Sequence, residues 1–248
     1  MRAITFLILS SLVLFACKKK DPEPTPTPDS FISMTIQPVF GNGNLFLDSI
    51  YTTAEGYQVK FTDIKCYLSG IGNDTVQLSQ AVLFDYRETG TLLMRKVGDF
   101  NKFSSLQGSI GVISSLNHND PSAFPNDSPL NISNAGPMHW GWNPGYIFLN
   151  IEGKVDTIAD GNPLYDHSFS FHIGTDAYLQ TFNFSNLSWL HPSTYEYVLP
   201  LKLNLSQFLQ NNGQNIDLKT EFLTHTASGQ ELLTQKVVQN FKQALTPY

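Results

Sequence analysis

Soft donor atoms and large aromatic rings crowd into one short stretch, Met138-His139-Trp140-Gly141-Trp142-Asn143-Pro144-Gly145-Tyr146, which holds two of the chain's three tryptophans. A thioether, an imidazole and two indoles this close together suit a ligand site, either for a metal or for a flat sugar or peptide surface that stacks on rings. The glycine between the tryptophans and the Pro144-Gly145 pair favour a tight turn that presents the rings near the surface. In extended backbone Trp140 and Trp142 share one face and His139 takes the other. A site that uses both His139 and an indole therefore needs a bulge or turn.

Two further histidines have informative settings. His118 lies in Leu116-Asn117-His118-Asn119-Asp120-Pro121, inside a Ser-, Asn-, Asp- and Pro-rich run from 114 to 137. Ordered loops of that length inside a compact domain are usually functional. His172 lies in Ser168-Phe169-Ser170-Phe171-His172-Ile173, where Phe169, Phe171 and Ile173 point one way and His172 points the other with the serines. No two histidines have the HxH spacing of a ready-made ligand pair, so a metal site has to be assembled from distant segments. His167, His191 and His225 sit in turn-like or polar settings and read as structural. Cys66, in the alternating Ile64-Lys65-Cys66-Tyr67-Leu68, reads as a small buried apolar residue, with a thiolate metal ligand as the alternative.

Other chemistries find no motif. The chain has no phosphate-binding glycine loop, no GxSxG elbow, no HExxH and no CxxC. Glu152, Asp160, Asp166 and Asp176 are carboxylates of the kind glycoside hydrolysis uses, but nothing in the sequence pairs them.

The elements that must carry these residues are mostly strands. Phe31 to Phe40 alternates loosely, Gly41-Asn42-Gly43-Asn44 is a turn, and Leu45 to Thr52 resumes the pattern. Tyr57 to Ile64 alternates cleanly, and Gly70 and Gly72-Asn73-Asp74 are expected to break the strand. Further strands are expected at Thr75 to Tyr86, Gly108 to Ile113, Gly145 to Asp156, Ser168 to Gly174, Leu179 to Trp189 and Tyr195 to Leu205. Near the end, Ser228-Gly229-Gln230-Glu231 has the form of a capping box. Leu232, Leu233, Val237, Phe241 and Leu245 then give an apolar helical stripe. About ten short strands with frequent turn signals and one amphipathic C-terminal helix predict an all-β domain over residues 31–248. Its expected form is an antiparallel β-sandwich with long loops at one end.

The N-terminus reads as an address. Arg2 and the apolar run Ala3 to Phe15 form a signal segment over residues 1–16, too short to span a membrane comfortably. Leu14-Phe15-Ala16-Cys17 resembles a bacterial lipobox, which implies cleavage before Cys17 and lipid on its thiol. The proline-alternating Pro22 to Ser30 completes a semi-rigid tether over residues 17–30. A lipid-anchored protein at the outer membrane or cell surface, facing periplasm or exterior, is the expectation. With Cys17 lipidated, Cys66 has no partner for an internal disulfide. A formal net charge of −6 gives no electrostatic reason to bind nucleic acid.

In their order along the chain, these segments resemble the MbnP-like family. Asp63-Ile64-Lys65-Cys66-Tyr67-Leu68-Ser69-Gly70-Ile71 and Leu116 to Pro121 match its weaker motifs. Met138 to Tyr146, with Ile151-Glu152-Gly153, matches its Trp-rich core, and Phe169 to Gly174 matches its FxxHxG strand. The resemblance implies a copper-associated protein of the periplasm or membrane surface, partnered with a MauG-like di-haem peroxidase. The peroxidase oxidises a tryptophan, here Trp140 or Trp142, to kynurenine. Intact indole is a poor metal ligand, because its N–H only donates; opening the pyrrole ring frees an aromatic amine that can ligate. The implied ligands are His118 and His172, then His139, with Met138 as a possible thioether favouring Cu(I). The chain would then be an enzyme's substrate and no enzyme itself. The alternative is a carbohydrate- or peptide-binding module that uses an exposed Trp/Tyr/Asn face.

Overall fold

The computed structural model describes residues 30–141, 144–158, 160, 162, 164–165 and 167–248. The signal segment, Cys17, the tether up to Asp29, and Trp142 lie outside the described residues, as does Asp166. Among the described residues no helix is long and apolar enough to cross a membrane.

Two sheets enclose the main core. In the first, β12 (Leu190–Ser193), β13 (Glu196–Asn204), β1 (Phe31–Phe40) and β2 (Gly43–Asn44) run in that spatial order. Onto it, β15 (Leu245–Pro247) pairs with β13 and β6 (Leu92–Val97) with β1. The second sheet runs β11 (Gln180–Ser185), β7 (Ser105–Ile110), β4 (Gln58–Gly72), β9 (Gly145–Asp156), β10 (His167–Gly174), β14 (Leu223–Thr224). To it, β3 (Tyr51–Thr52) and β5 (Gln77–Asp85) add on β4, and β8 (His139–Gly141) adds on β9. Short helices α1 (Tyr86–Thr89), α2 (Ser114–Asn117), α3 (Ile132–Ala135) and α4 (Leu205–Leu209) sit in the connections, and α5 (Glu231–Ala244) closes the chain.

Period-two patterning builds the core. Ile32, Met34 and Ile36 of β1 and Leu199, Leu201 and Leu203 of β13 meet Phe61, Ile64, Cys66 and Leu68 of β4 and Phe169 and Phe171 of β10. Buried neighbours from both sheets in one cluster make the sandwich. Cys66 is fully buried and its thiol is pushed up to about 12 by burial, so it stays protonated and packs as an apolar residue.

Several details depart from the sequence expectation. The pairing is mainly antiparallel, but β1 runs parallel to β13, and β10 runs parallel to β14. Residues 45–50 are not strand, because this segment is largely exposed and only Leu45 is fully buried in the core, with Leu47 packed at its edge. β4 does not stop at Gly70. It continues to Gly72, with Gly70 at φ +60 and irregular pairing to β7 on one side and β5 on the other. β6 carries little sequence signal, since only Leu93 and Met94 of its six residues are buried. The C-terminal helix forms, but Ser228 does not cap it. The Gln230 side chain instead accepts bonds from the 224–227 segment. Leu232 stays 90 % exposed, while Val237, Val238 and Phe241 face the core.

Candidate metal centre

The outward face of the second sheet changes character along each strand. On β9, Tyr146 and Phe148 are buried beneath the 114–141 segment, in a second apolar cluster with Tyr67, Val112, Leu130, Ala135 and Met138. Continuing along the same face, Asn150 and Glu152 are polar. Register carries this polarity sideways: Lys65, Asn150 and His172 stand opposite one another, and so do Asp63, Glu152 and Ser170. Opposed residues share a face, so a polar strip borders the apolar cap.

Trp140 packs at the end of β10, against Gly174. An alanine methyl built at Gly174 would lie 2.5 Å from Trp140 Cζ3, so the indole rests directly on the glycine. Gly174 lies two residues beyond His172 on β10, roughly 6.6 Å along the strand, and the pairing to β9 shifts register just before it. His172 Nε2 lies 2.7 Å from Glu152 Oε1 and 3.1 Å from Ser170 Oγ. A carboxylate on one ring nitrogen fixes the imidazole's orientation, the arrangement that supports metal-ligating histidines. The His225 ring stacks on the His172 ring at 4.7 Å with 8° between planes. Burial, and then the neighbouring His172, hold the His225 imidazole below its ordinary pKa, so it is neutral.

His118 stands beyond the other end of β10. Its Nε2 lies 3.2 Å from Asp176 Oδ2, two residues past Gly174. Asn117 fixes this corner: it is buried, donates to Asp176 Oδ1 at 2.8 Å and accepts from the Tyr146 N–H at 2.9 Å. Gly145 is obligatory beside it, since a Cβ there would strike Asn117. Burial pushes the Asp176 carboxyl up, but hydrogen bonds from Ser114, Asn117 and His118 outweigh it and hold the pKa below the usual range. Trp140 is seated on Gly174, which lies between His172 and Asp176 in sequence.

His139 and Met138 face elsewhere. The His139 ring stands edge-on to Tyr146 at 4.7 Å, its opposite neighbour on β9. It borders a cavity of about 300 Å³ with Asp120, Pro121, Ser122, Ile132 and Gly141, and burial lowers its pKa. Met138 is 1 % exposed and fills the second apolar cluster. The structure therefore seats Trp140 on Gly174, two residues from His172, pairs His118 with Asp176, and sets the His139 ring against Tyr146. His225 and Glu152 complete the neighbourhood. Motif reading passes over His225 because only the two-residue pairing of β14 with β10 brings it there. Glu152 is legible as the outward neighbour of Asn150 on a period-two strand.

Asp63 gives the strip a pH signature. Its Oδ2 accepts from Asn150 and Lys65, while Asp63 Oδ1 and Asn150 Oδ1 are buried acceptors with no partner among the described residues. Burial raises the Asp63 pKa, and Lys65 only partly offsets it. For Lys65, burial works downward but Asp85 and Asp63 outweigh it, so the ammonium stays charged. A folded-state pKa above the unfolded one means that the stability tied to the Asp63 proton is present below the ordinary carboxylate pKa. It is lost as pH rises through the folded value. Asp63→Asn imitates the protonated form and supplies a donor for the orphan acceptors. The variant is expected to be at least as stable as wild type at neutral pH, with the difference vanishing towards acid. Urea midpoints across pH check this.

As a donor set, imidazoles suit copper in either oxidation state. Among the described residues no group of three or more His, Cys, Asp and Glu side chains is placed to hold a metal ion. The histidines around Trp140 therefore fit a metal only if a donor of another type joins them.

These features define an all-β protein of two packed sheets. The chain belongs to the MbnP family, whose model matches residues 29–231. It is similar in structure to MbnP from Methylosinus trichosporium, at 15 % identity and a TM-score of 0.46, over 73 % of this chain and 78 % of that one. No curated protein matches it. Family membership is consistent with a copper-related role and with a binding protein that is not itself catalytic.

Proposed function

We propose that this protein is a lipid-anchored copper carrier whose site is completed by oxidation of Trp140. The observation that carries the reading is the seat of Trp140 on Gly174, two residues along β10 from His172. Oxidative opening of the indole to kynurenine frees an aromatic amine, the donor that the imidazoles lack. His172 and His118 are the ligands of first choice. His139, on the other side of β8, joins them only if the backbone turns. The oxidant is supplied by a MauG-like di-haem peroxidase acting on the half-buried ring, and a lipid on Cys17 holds the protein at the outer membrane in copper acquisition or handling. The carbohydrate- or peptide-binding alternative rests on aromatic rings alone, whereas the copper reading also uses the imidazoles beside Trp140.

Mass spectrometry of protein purified from its native host tests the proposal. The peptide carrying Trp140 is expected to have lost one carbon and gained one oxygen, with copper co-purifying. Intact Trp140 and Trp142 without copper above background would overturn it. Modification confined to Trp142 would move the site to that residue.

A further inference from the structure

We infer that the outward face of the first sheet, at the end where the chain enters the domain, lies against the lipid bilayer. The inference rests on the lipid anchor proposed for Cys17.

Strand register builds this face. Ile32 and Met34 of β1 point into the core, so Phe31 and Ser33 point outward. Phe31 stands opposite Val97 of β6 and Glu196 of β13, while Ser33 stands opposite Arg95 and Val198. Val198 in turn stands opposite Leu190 of β12. Opposed residues share a face, so apolar side chains from four strands lie side by side. Val97 and Leu190, on the flanking strands, are 59 % and 56 % exposed.

The charges within the face are closed on one another. Arg95 Cζ lies 3.5 Å from the centre of the Phe31 ring. The Arg95 guanidinium donates to both carboxylate oxygens of Glu196 at 3.0–3.2 Å. The buried Ser33 hydroxyl donates to the same carboxylate at 2.5 Å. Such a face can meet lipid headgroups without stranding a charge.

The point of chain entry favours the bilayer as its cover. The Phe31 N–H donates to the Tyr195 carbonyl at 2.7 Å, Ser30 Oγ donates to the Gly98 carbonyl at 2.8 Å, and the Gly98 N–H donates to the Ser30 carbonyl at 3.0 Å. The entering chain is thereby pinned between the end of β6 and the start of β13. A proline-rich run extends about 3.1 Å per residue, so residues 18–29 keep this end within roughly 40 Å of a lipid on Cys17. Tethering makes a weak contact effectively intramolecular. Tyr195, exposed at the same edge, has the apolar ring and polar tip favoured at membrane interfaces. A second copy of the chain would fit the face too, but the anchor sets a bilayer beside every molecule.

The test uses the full-length lipidated protein on vesicles of phosphatidylethanolamine and phosphatidylglycerol. An environment-sensitive fluorophore is attached in Val97→Cys, in Leu190→Cys and, as reference, in Leu232→Cys, at a position 90 % exposed on α5. Cys66 is buried, so the label goes to the introduced thiol. Labels at 97 and 190 are expected to shift to the blue and to be quenched several-fold more by a lipid-borne quencher than the label at 232. Adding Val97→Glu to the Leu190→Cys protein is expected to return that label to an aqueous spectrum with an unchanged melting temperature. Aqueous spectra at all three positions, in protein that floats with the vesicles, would overturn the inference and leave the anchor standing. Shielding of 97 and 190 from aqueous iodide without lipid quenching would give the face to a second copy, and would also overturn it. A wild-type protein that carries no lipid on Cys17 and does not float would remove both.

Discussion

Gly174→Ala is expected to abolish tryptophan modification and copper retention while the domain stays folded. The added methyl would lie 2.5 Å from Trp140 Cζ3 and 2.8 Å from the Tyr146 carbonyl oxygen, closer than any real Cβ contact. The indole can yield because it is only half-buried, so it swings towards solvent and leaves its seat on Gly174. The backbone contact cannot yield so easily, because Gly174 pairs with Ile147 at a register irregularity. Overpacking of this kind costs about 1–3 kcal/mol. Three measurements check the result: the mass of the Trp140 peptide, bound copper, and a red shift in tryptophan emission with the melting transition preserved. Adding Trp140→Phe to the variant should restore stability but not copper, and the coupling energy between the two changes reports their contact. Full modification in Gly174→Ala would show that the glycine is not the platform of the site.

Gly153→Ala is expected to be the most destabilising single methyl in the second sheet. Gly153 faces the core, and a Cβ there would overlap the Lys60 carbonyl oxygen and the Phe169 ring. Phe169 has no retreat: it is 1 % exposed and stands edge-on to Phe61, at 5.6 Å and 79°. Lys60 lies on β4, the neighbouring strand, so relief would have to open the β4–β9 pairing. The cost should reach about 3 kcal/mol, the upper end for overpacking. For a chain of this size that is a fall of about 6–12 °C in melting temperature. Chemical unfolding at fixed pH measures it, and a shift under about 1 kcal/mol would mean that the two strands part readily there. Phe169→Leu in the same background should recover part of the loss.

The two glycines lie on neighbouring strands, and they show where sequence was sufficient. Strict alternation in Phe169, Phe171 and Ile173 against Ser168, Ser170 and His172 set the strand, its inward face and the outward histidine. The same reasoning separated Trp140 from His139, and their rings meet different neighbours, Gly174 and Tyr146. It could not place the second apolar cluster. Tyr146-Ile147-Phe148-Leu149 reads as a continuous apolar run, and such a run says only that both faces are covered. The cover is the 114–141 segment, held by Tyr67 Oη on the Pro129 carbonyl at 2.9 Å and by Tyr146 Oη on that of Leu130. Those long-range bonds leave no period in a polar loop. His225 was illegible for the same reason. The expected capping box misread a real partner: Gln230 ties down the 224–227 segment instead of Ser228 capping α5.

The parallel pairing of β1 with β13 sets an order of events for the chain. Phe31 stands opposite Glu196 and Val39 opposite Asn204, so the first strand waits for nearly the whole polypeptide before its longest partner exists. Ends joined across so long a loop make folding slow, since the closure entropy is lost before the contacts repay it. β14 and α5 come later still. A nascent chain therefore exposes the apolar face of β1 until its last quarter has emerged, and the environment of Trp140 is among the last parts to be completed. Any partner that recognises Trp140 on Gly174 would therefore meet only the finished domain.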